Sequence, residues 1–199
     1  MLKAFVNSVL FTGKELLRDR TLIVDNDRIR AILDDKDIPS GLEVINCQGN
    51  YLSPGLLDLQ IAGGGGYLFS SYPTREALGS ITDEIVSTGT TGFLITLPTN
   101  TFEVYRKAFT AVKEFRHPAL LGIHLEGPFL SLAKKEAHME ECIKVPHADD
   151  LKALIDEAGG TIKMMTVAPE VCDPAFIDIL VSNGIIVAAG HSNSSFWEA

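Results

Sequence analysis

Two residues in this chain have types and surroundings that suit shared chemistry. Glu126 follows the apolar run Leu120-Leu121-Gly122-Ile123-His124-Leu125, and His191 follows Ile185-Ile186-Val187-Ala188-Ala189-Gly190. A carboxylate offers a hard anionic oxygen and a neutral imidazole offers nitrogen. Together they suit a catalytic divalent ion that keeps a position open for water. A lone glutamate at the end of an apolar run serves equally well as a cap for the following loop, so it is the pairing with His191 that favours a site. His124 shares the face of Glu126 and reads either as a group behind the site or as a packed histidine with its own hydrogen bonds. Asp58, just after Pro54-Gly55, reads as a strand or turn carboxylate rather than an acid catalyst. Residues 130–146 form a long connection carrying Lys134, Lys135, His138, Glu140 and Glu141. A loop of that length is a place for substrate contacts, although its lysines taken alone read as solvated charge.

The elements that must position these groups are visible as alternating patterns. Residues 56–61, 92–97, 120–125, 162–167 and 185–189 are short runs, mostly apolar on both faces, as strands buried on both sides should be. Helical periodicity fits between them over residues 74–87, 102–115, 148–158 and 174–183, with Thr74 as a cap and Pro174 in a first turn. Repeated β-then-α units imply parallel strands joined by right-handed crossovers. A doubly wound sheet and a barrel both fit. The run Gly63-Gly64-Gly65-Gly66 follows a strand but lacks a phosphate-cradling pattern and reads as a flexible turn, which favours the barrel. Barrel enzymes place catalytic groups at the C-terminal ends of strands, where Glu126 and His191 fall two βα units apart.

The expected fold class is therefore α/β: a partial (β/α)8 TIM-type barrel of about five βα units over residues 54–199. A complete barrel needs about 250 residues, so the barrel is expected to be incomplete. Residues 1–53 read instead as a small β-sandwich-like domain of short strands, with a hairpin whose arms, residues 21–24 and 28–32, flank Asp25-Asn26-Asp27.

The net charge of −9 argues against nucleic acid as a partner, while leaving room for a small anionic substrate in a locally basic pocket. The three cysteines, Cys47, Cys142 and Cys172, are far apart and lack zinc-knot spacing, as expected of reduced, mostly buried thiols. No signal-like stretch opens the chain, and no run approaches the ~18 apolar residues of a membrane span. The expectation is a cytoplasmic protein with no membrane partner.

Three strings of residues in order carry a resemblance: Gly122-Ile123-His124-Leu125-Glu126-Gly127-Pro128-Phe129-Leu130, then Lys134-Lys135-Glu136-Ala137-His138, then Gly190-His191-Ser192-Asn193-Ser194. With Leu52-Ser53-Pro54-Gly55-Leu56-Leu57-Asp58 ahead of them, the chain resembles the N-acetylglucosamine-6-phosphate deacetylase family of the amidohydrolase superfamily from about residue 20 onward. The resemblance implies that Glu126 and His191 bind the metal and that Ala137 and His138 contact the sugar. It implies a further histidine ligand, a catalytic Asp and phosphate-binding residues beyond residue 199, partly from a second subunit of a homodimer. It also implies hydrolysis of the acetamide of N-acetylglucosamine 6-phosphate to glucosamine 6-phosphate and acetate. Many amidohydrolases carry His-x-His at the end of strand one, whereas this chain has Gln60 and Ala62. Alanine cannot ligate and a Gln amide is a weak ligand. That leaves one divalent ion (zinc, iron, cobalt or manganese), with Gln60 placed to hydrogen-bond a metal-bound water. Two other readings remain: a different amidohydrolase acting on a cyclic amide or amine, and an inactive partial barrel or binding module.

Overall fold

The structure is a computed structural model and describes residues 1–197. The chain divides into two compact units, one spanning Met1–Gly55 and the other beginning at Leu56. In the first, β1 (Leu2–Val6), β4 (Arg20–Asp25), β5 (Arg28–Asp34) and β6 (Glu43–Asn46) form a four-stranded sheet in the order β5-β4-β1-β6. A second sheet of three strands contains β2 (Val9–Phe11), β3 (Leu16–Leu17) and β7 (Tyr51–Leu52), ordered β3-β2-β7. The β4–β5 hairpin closes with Asp25 opposite Arg28, and Asn26 takes the left-handed conformation at φ +52° that its short polar side chain tolerates.

The second unit contains β8 (Leu56–Ile61), the short strands β9 (Gly63–Gly64) and β10 (Tyr67–Leu68), α1 (Arg75–Ser87), β11 (Thr90–Pro98), α2 (Phe102–Glu114), β12 (Leu120–Glu126), α3 (Ala148–Ala158), β13 (Ile162–Val167), α4 (Pro174–Ser182) and β14 (Ile186–Ala189). Five strands form one parallel sheet in the order β14-β13-β12-β11-β8. The order follows the sequence without reversal. A doubly wound sheet would reverse at a switch point, so this is the singly wound path of a half-barrel.

The helices cover one face of that sheet. Phe93, Ile95 and Leu97 of β11, Ile123 and Leu125 of β12, and Met165 and Val167 of β13 pack in one core with Leu78, Ile81, Tyr105, Phe109, Leu151, Leu154 and Leu180 from the helices. Because side chains alternate along a strand, Thr96, His124, Glu126, Met164 and Thr166 take the opposite face. The helix ends follow local chemistry. Thr74, Thr101 and Asp173 each accept a backbone N–H in the first turns of α1, α2 and α4, and Gly159 ends α3 in the left-handed conformation.

The glycine run behaves differently from its reading as a flexible turn. Gly63 and Gly64 pair with Tyr67 and Leu68 in a tight hairpin against α1. Gly65, at φ +56°, donates its N–H to Glu84 Oε2 at 2.6 Å, and a Cβ there would lie 2.5 Å from the Ser80 carbonyl oxygen. Gly65 and Gly66 make the turn, Gly65 serves close backbone approach to α1, and a Cβ at Gly63 would meet the Tyr67 carbonyl across the hairpin.

Candidate active site

Glu126 is the last residue of β12 and His191 follows β14 by two residues, so both sit at the C-terminal ends of parallel strands. The register places Glu126 between Pro98 of β11 and Thr166 of β13. The long loop after β12 folds back, with Lys144 N–H bonded to Pro128 O at 3.0 Å, and buries His138 against the same carboxylate. Glu126, His138 and His191 form a cluster whose ligand-type atoms all lie within 4.8 Å of one another. Their side chains keep 18%, 6% and 16% of their exposure, enough to admit a ligand while most surrounding water is excluded. The adjoining cavity is about 360 Å3, and its lining includes Gln60, His124, Glu136, Thr166 and Gly190.

Hydrogen bonds sort the two histidines. His191 Nδ1 lies 3.1 Å from the Lys134 carbonyl oxygen, which can only accept, so Nδ1 carries a proton. Its Nε2 lies 3.0 Å from Glu126 Oε1. With the ring neutral, two acceptors face each other, an arrangement made favourable by a cation between them, whether a proton on Nε2 or a metal ion. An imidazole whose other nitrogen donates to a backbone carbonyl is the usual state of a metal-ligating histidine. The donor set, one carboxylate and one imidazole nitrogen, therefore fits a divalent ion.

His138 is wired the opposite way. Thr99 N–H donates to its Nδ1 at 3.2 Å, so the neutral ring carries its proton on Nε2. Burial, then the neighbouring His191, lowers the pKa of His138 against the pull of Glu126, which keeps the ring neutral. Its Nε2–H lies 3.8 Å from Glu126 Oε2 and is a donor aimed into the site. It belongs to the geometric cluster without offering a lone pair there.

Gln60, near the end of β8, donates its amide to Glu126 Oε1 at 3.0 Å, joining the carboxylate directly. Ala137 is exposed on the loop, next to His138. His124 is buried one step below Glu126, with Nδ1 2.9 Å from Leu59 O and Nε2 2.7 Å from Thr166 Oγ1. Both nitrogens are used, as in a packed histidine, and burial holds its pKa below the ordinary value. Asp58 accepts the Gln60 N–H at 3.0 Å, the strand-carboxylate role. The loop lysines do not enter the cluster: Lys135 reaches Glu140 at 3.7 Å, and Lys134 contributes its carbonyl. All three cysteines are free, and the Cys172 thiol is pushed up to about 12 by burial and then by Asp173 and Glu170, so it stays protonated and unreactive.

Known proteins share this arrangement of sequence and fold. Residues 3–52 match the NagA composite domain. The chain is 34% identical over 196 residues to an N-acetylglucosamine-6-phosphate deacetylase of Haemophilus influenzae, across 97% of this chain and 51% of that protein. It is 37% identical over 147 residues to an N-acetylgalactosamine-6-phosphate deacetylase of a Shewanella strain, across 72% of this chain and 37% of the relative. The crystal structure of the N-acetylglucosamine-6-phosphate deacetylase from Pasteurella multocida superposes with a TM-score of 0.88 at 36% identity, covering 100% of this chain and 53% of that one. The chain matches the N-terminal portion of the N-acetylglucosamine-6-phosphate deacetylase family. It spans about half the length of the relatives it matches.

Against that family, three contributors were not singled out from residue types. Thr99 uses its N–H to fix the His138 tautomer and its hydroxyl to bond the Glu126 carbonyl at 3.1 Å. The Lys134 carbonyl fixes the His191 tautomer. Glu170 accepts Ser192 Oγ–H and Asn193 N–H, each at 2.6 Å, on the segment that carries His191. Thr99 and Glu170 both sit just beyond the ends of apolar runs, a signal present in the sequence. Nothing in their types distinguishes them from ordinary loop residues there.

Proposed function

We propose that this chain supplies the metal-binding and carbonyl-polarising part of a deacetylase active site. The reaction is hydrolysis of the acetamide of N-acetylglucosamine 6-phosphate, giving glucosamine 6-phosphate and acetate. The observation that carries this reading is the approach of Glu126 Oε1 and His191 Nε2 to 3.0 Å with His191 Nδ1–H committed to the Lys134 carbonyl. Glu126 and His191 hold one divalent ion, of the zinc, iron, cobalt or manganese group. Such an ion lowers the pKa of a coordinated water toward about 7 and polarises a carbonyl oxygen.

The chain's own groups then have separate tasks. Gln60 braces the Glu126 carboxylate and can turn its amide toward a water at the site. His138 directs Nε2–H at the acetamide oxygen and stabilises it as negative charge develops. Ala137, beside it on the loop, contacts the sugar. Water's oxygen bonds to the acetyl carbon, the C–N bond breaks, and water's proton passes to the leaving amine. The general base, a further histidine ligand and the phosphate-binding groups come from outside these 199 residues. In this reading residues 1–53 are a small β-domain and 54–199 the first part of the barrel of a cytoplasmic homodimer, with no nucleic-acid or membrane partner.

Glu126→Ala or His191→Ala in the full-length protein is expected to abolish stoichiometric metal binding. Unchanged metal content by elemental analysis would overturn the assignment. The 37% identity to the galactosamine-type relative supports a second reading, the N-acetylgalactosamine 6-phosphate epimer as substrate. Acetate release from the two epimers, with a cyclic amide as a third arm, decides between them.

A further inference from the structure

Among the described residues, His191 and Glu136 are the two non-glycine residues lining the site's cavity whose φ is positive. The φ of His191 is +49°, in the left-handed region that residues with a Cβ enter uncommonly. Nothing in Gly190-His191-Ser192 imposes that conformation locally. The neighbouring loops bond to its carbonyl and to the residues that follow it. The His191 carbonyl accepts the N–H of Ser131, from the loop after β12, at 3.0 Å. The two residues that follow are gripped by one carboxylate, Glu170, which stands on the short turn after β13. Ser192 Oγ donates to Glu170 Oε2 and Asn193 N–H donates to Oε1, both at 2.6 Å. The Ser192 oxygen in turn accepts Ser194 N–H at 2.9 Å, so residues 191–194 close as a compact turn. Bonds to an ionised acceptor are shorter and stronger than neutral ones, and here one such group uses both oxygens on consecutive residues.

We propose that Glu170 is a positioning residue for the metal centre. Its carboxylate clamps Ser192 and Asn193 and thereby holds His191 in the left-handed conformation from which Nε2 meets Glu126. With the Ser131 N–H bond to His191, the clamp ties together the loops after β12, β13 and β14, and the ligand geometry depends on all three. This inference rests on the reading of Glu126 and His191 as metal ligands.

The test is titration of the metal-free full-length protein with cobalt(II), followed by its visible absorption. Wild type is compared with Glu170→Gln, Glu170→Ala, Glu126→Ala and Val112→Ala, the last a core substitution in α2 away from the site. Glu170→Ala is expected to weaken cobalt(II) affinity about tenfold or more, the range seen when groups supporting a ligand are removed. Glu170→Gln keeps the size and one acceptor oxygen and is expected to fall between Glu170→Ala and wild type. Val112→Ala is expected to lower the melting temperature and leave cobalt(II) affinity unchanged. If wild type binds cobalt(II), Glu126→Ala does not, and both Glu170 variants bind as wild type, the clamp is refuted while the metal reading stands. Equal loss of affinity in Val112→Ala would also refute it, because the effect would then be general destabilisation. If wild type itself shows no stoichiometric cobalt(II) spectrum, the metal reading fails and takes this inference with it.

Discussion

At the scale of single residues, the two histidines beside Glu126 differ in tautomer. The difference comes from which backbone group each Nδ1 meets. A carbonyl forces a proton onto His191 Nδ1 and leaves Nε2 as the nitrogen that faces Glu126. An N–H forces the proton onto His138 Nε2 and makes it a donor. Loss of the two should therefore have different signatures. His138→Ala in the full-length protein is expected to lower kcat about 10²–10³-fold, the effect of removing one donor to a developing oxyanion, while bound metal is retained. Steady-state kinetics paired with elemental analysis checks this. Loss of metal together with rate would show His138 to be a ligand instead.

At the scale of elements, the site depends on short connections that hold strand ends in register. Burial works to raise the Glu170 carboxyl, but hydrogen bonds from Ser192 and from Asn193 N–H outweigh it and hold its pKa below the ordinary glutamate value. A carboxylate with a depressed folded-state pKa stabilises the fold fully above its unfolded pKa of about 4.3, and that contribution is lost as pH falls through the lower folded value. The melting temperatures of wild type and Glu170→Gln are thus expected to differ at neutral pH and to converge in acid below about pH 4. A gap that persists unchanged into acid would sink this account. The glycine hairpin gives a second prediction at this scale. Gly65→Ala forces a Cβ into a left-handed residue and against the Ser80 carbonyl. It is expected to cost at least about 1–2 kcal/mol of stability in denaturant unfolding. A neutral substitution would mean that the hairpin can move away from α1.

At the scale of the whole molecule, the half-barrel has two edges, β8 and β14, each paired on one side among the described residues. The apolar side chains Leu56, Leu57, Leu59 and Ile186 on those edges are exposed by 45–68%. Unpaired strand edges with exposed apolar residues favour association. The 199-residue chain by itself is expected to self-associate with rising concentration in sedimentation velocity and to show negligible acetate release from N-acetylglucosamine 6-phosphate. A stable monomer with robust turnover would overturn this.

Much of the fold was legible because its causes are local. Hydrophobic period and run length mark the five parallel strands and four helices to within a few residues, and caps such as Thr74 and Pro174 mark their starts. The strand-end rule picked out Glu126 and His191 from residue type and position alone. The short strands β1, β2, β3 and β7 were not delimited, because two to five residues carry too little periodicity. The sequence favoured a barrel path over a doubly wound sheet, and the strand order, a property of long-range pairing, bore it out.

By itself, the sequence determined which residues can do chemistry here, the order in which the elements present them, and the family whose N-terminal portion the chain matches. Only the tertiary structure decided which of those groups meet and in what state. The Lys134 carbonyl, the Thr99 N–H and the Glu170 carboxylate are chemically ordinary, and each lies from 22 to 57 residues along the chain from the group it holds. Their effect on proton position and backbone conformation comes from proximity. Residues so far apart in the chain come within hydrogen-bond distance only when the parallel strands pair and bring their C-terminal ends together.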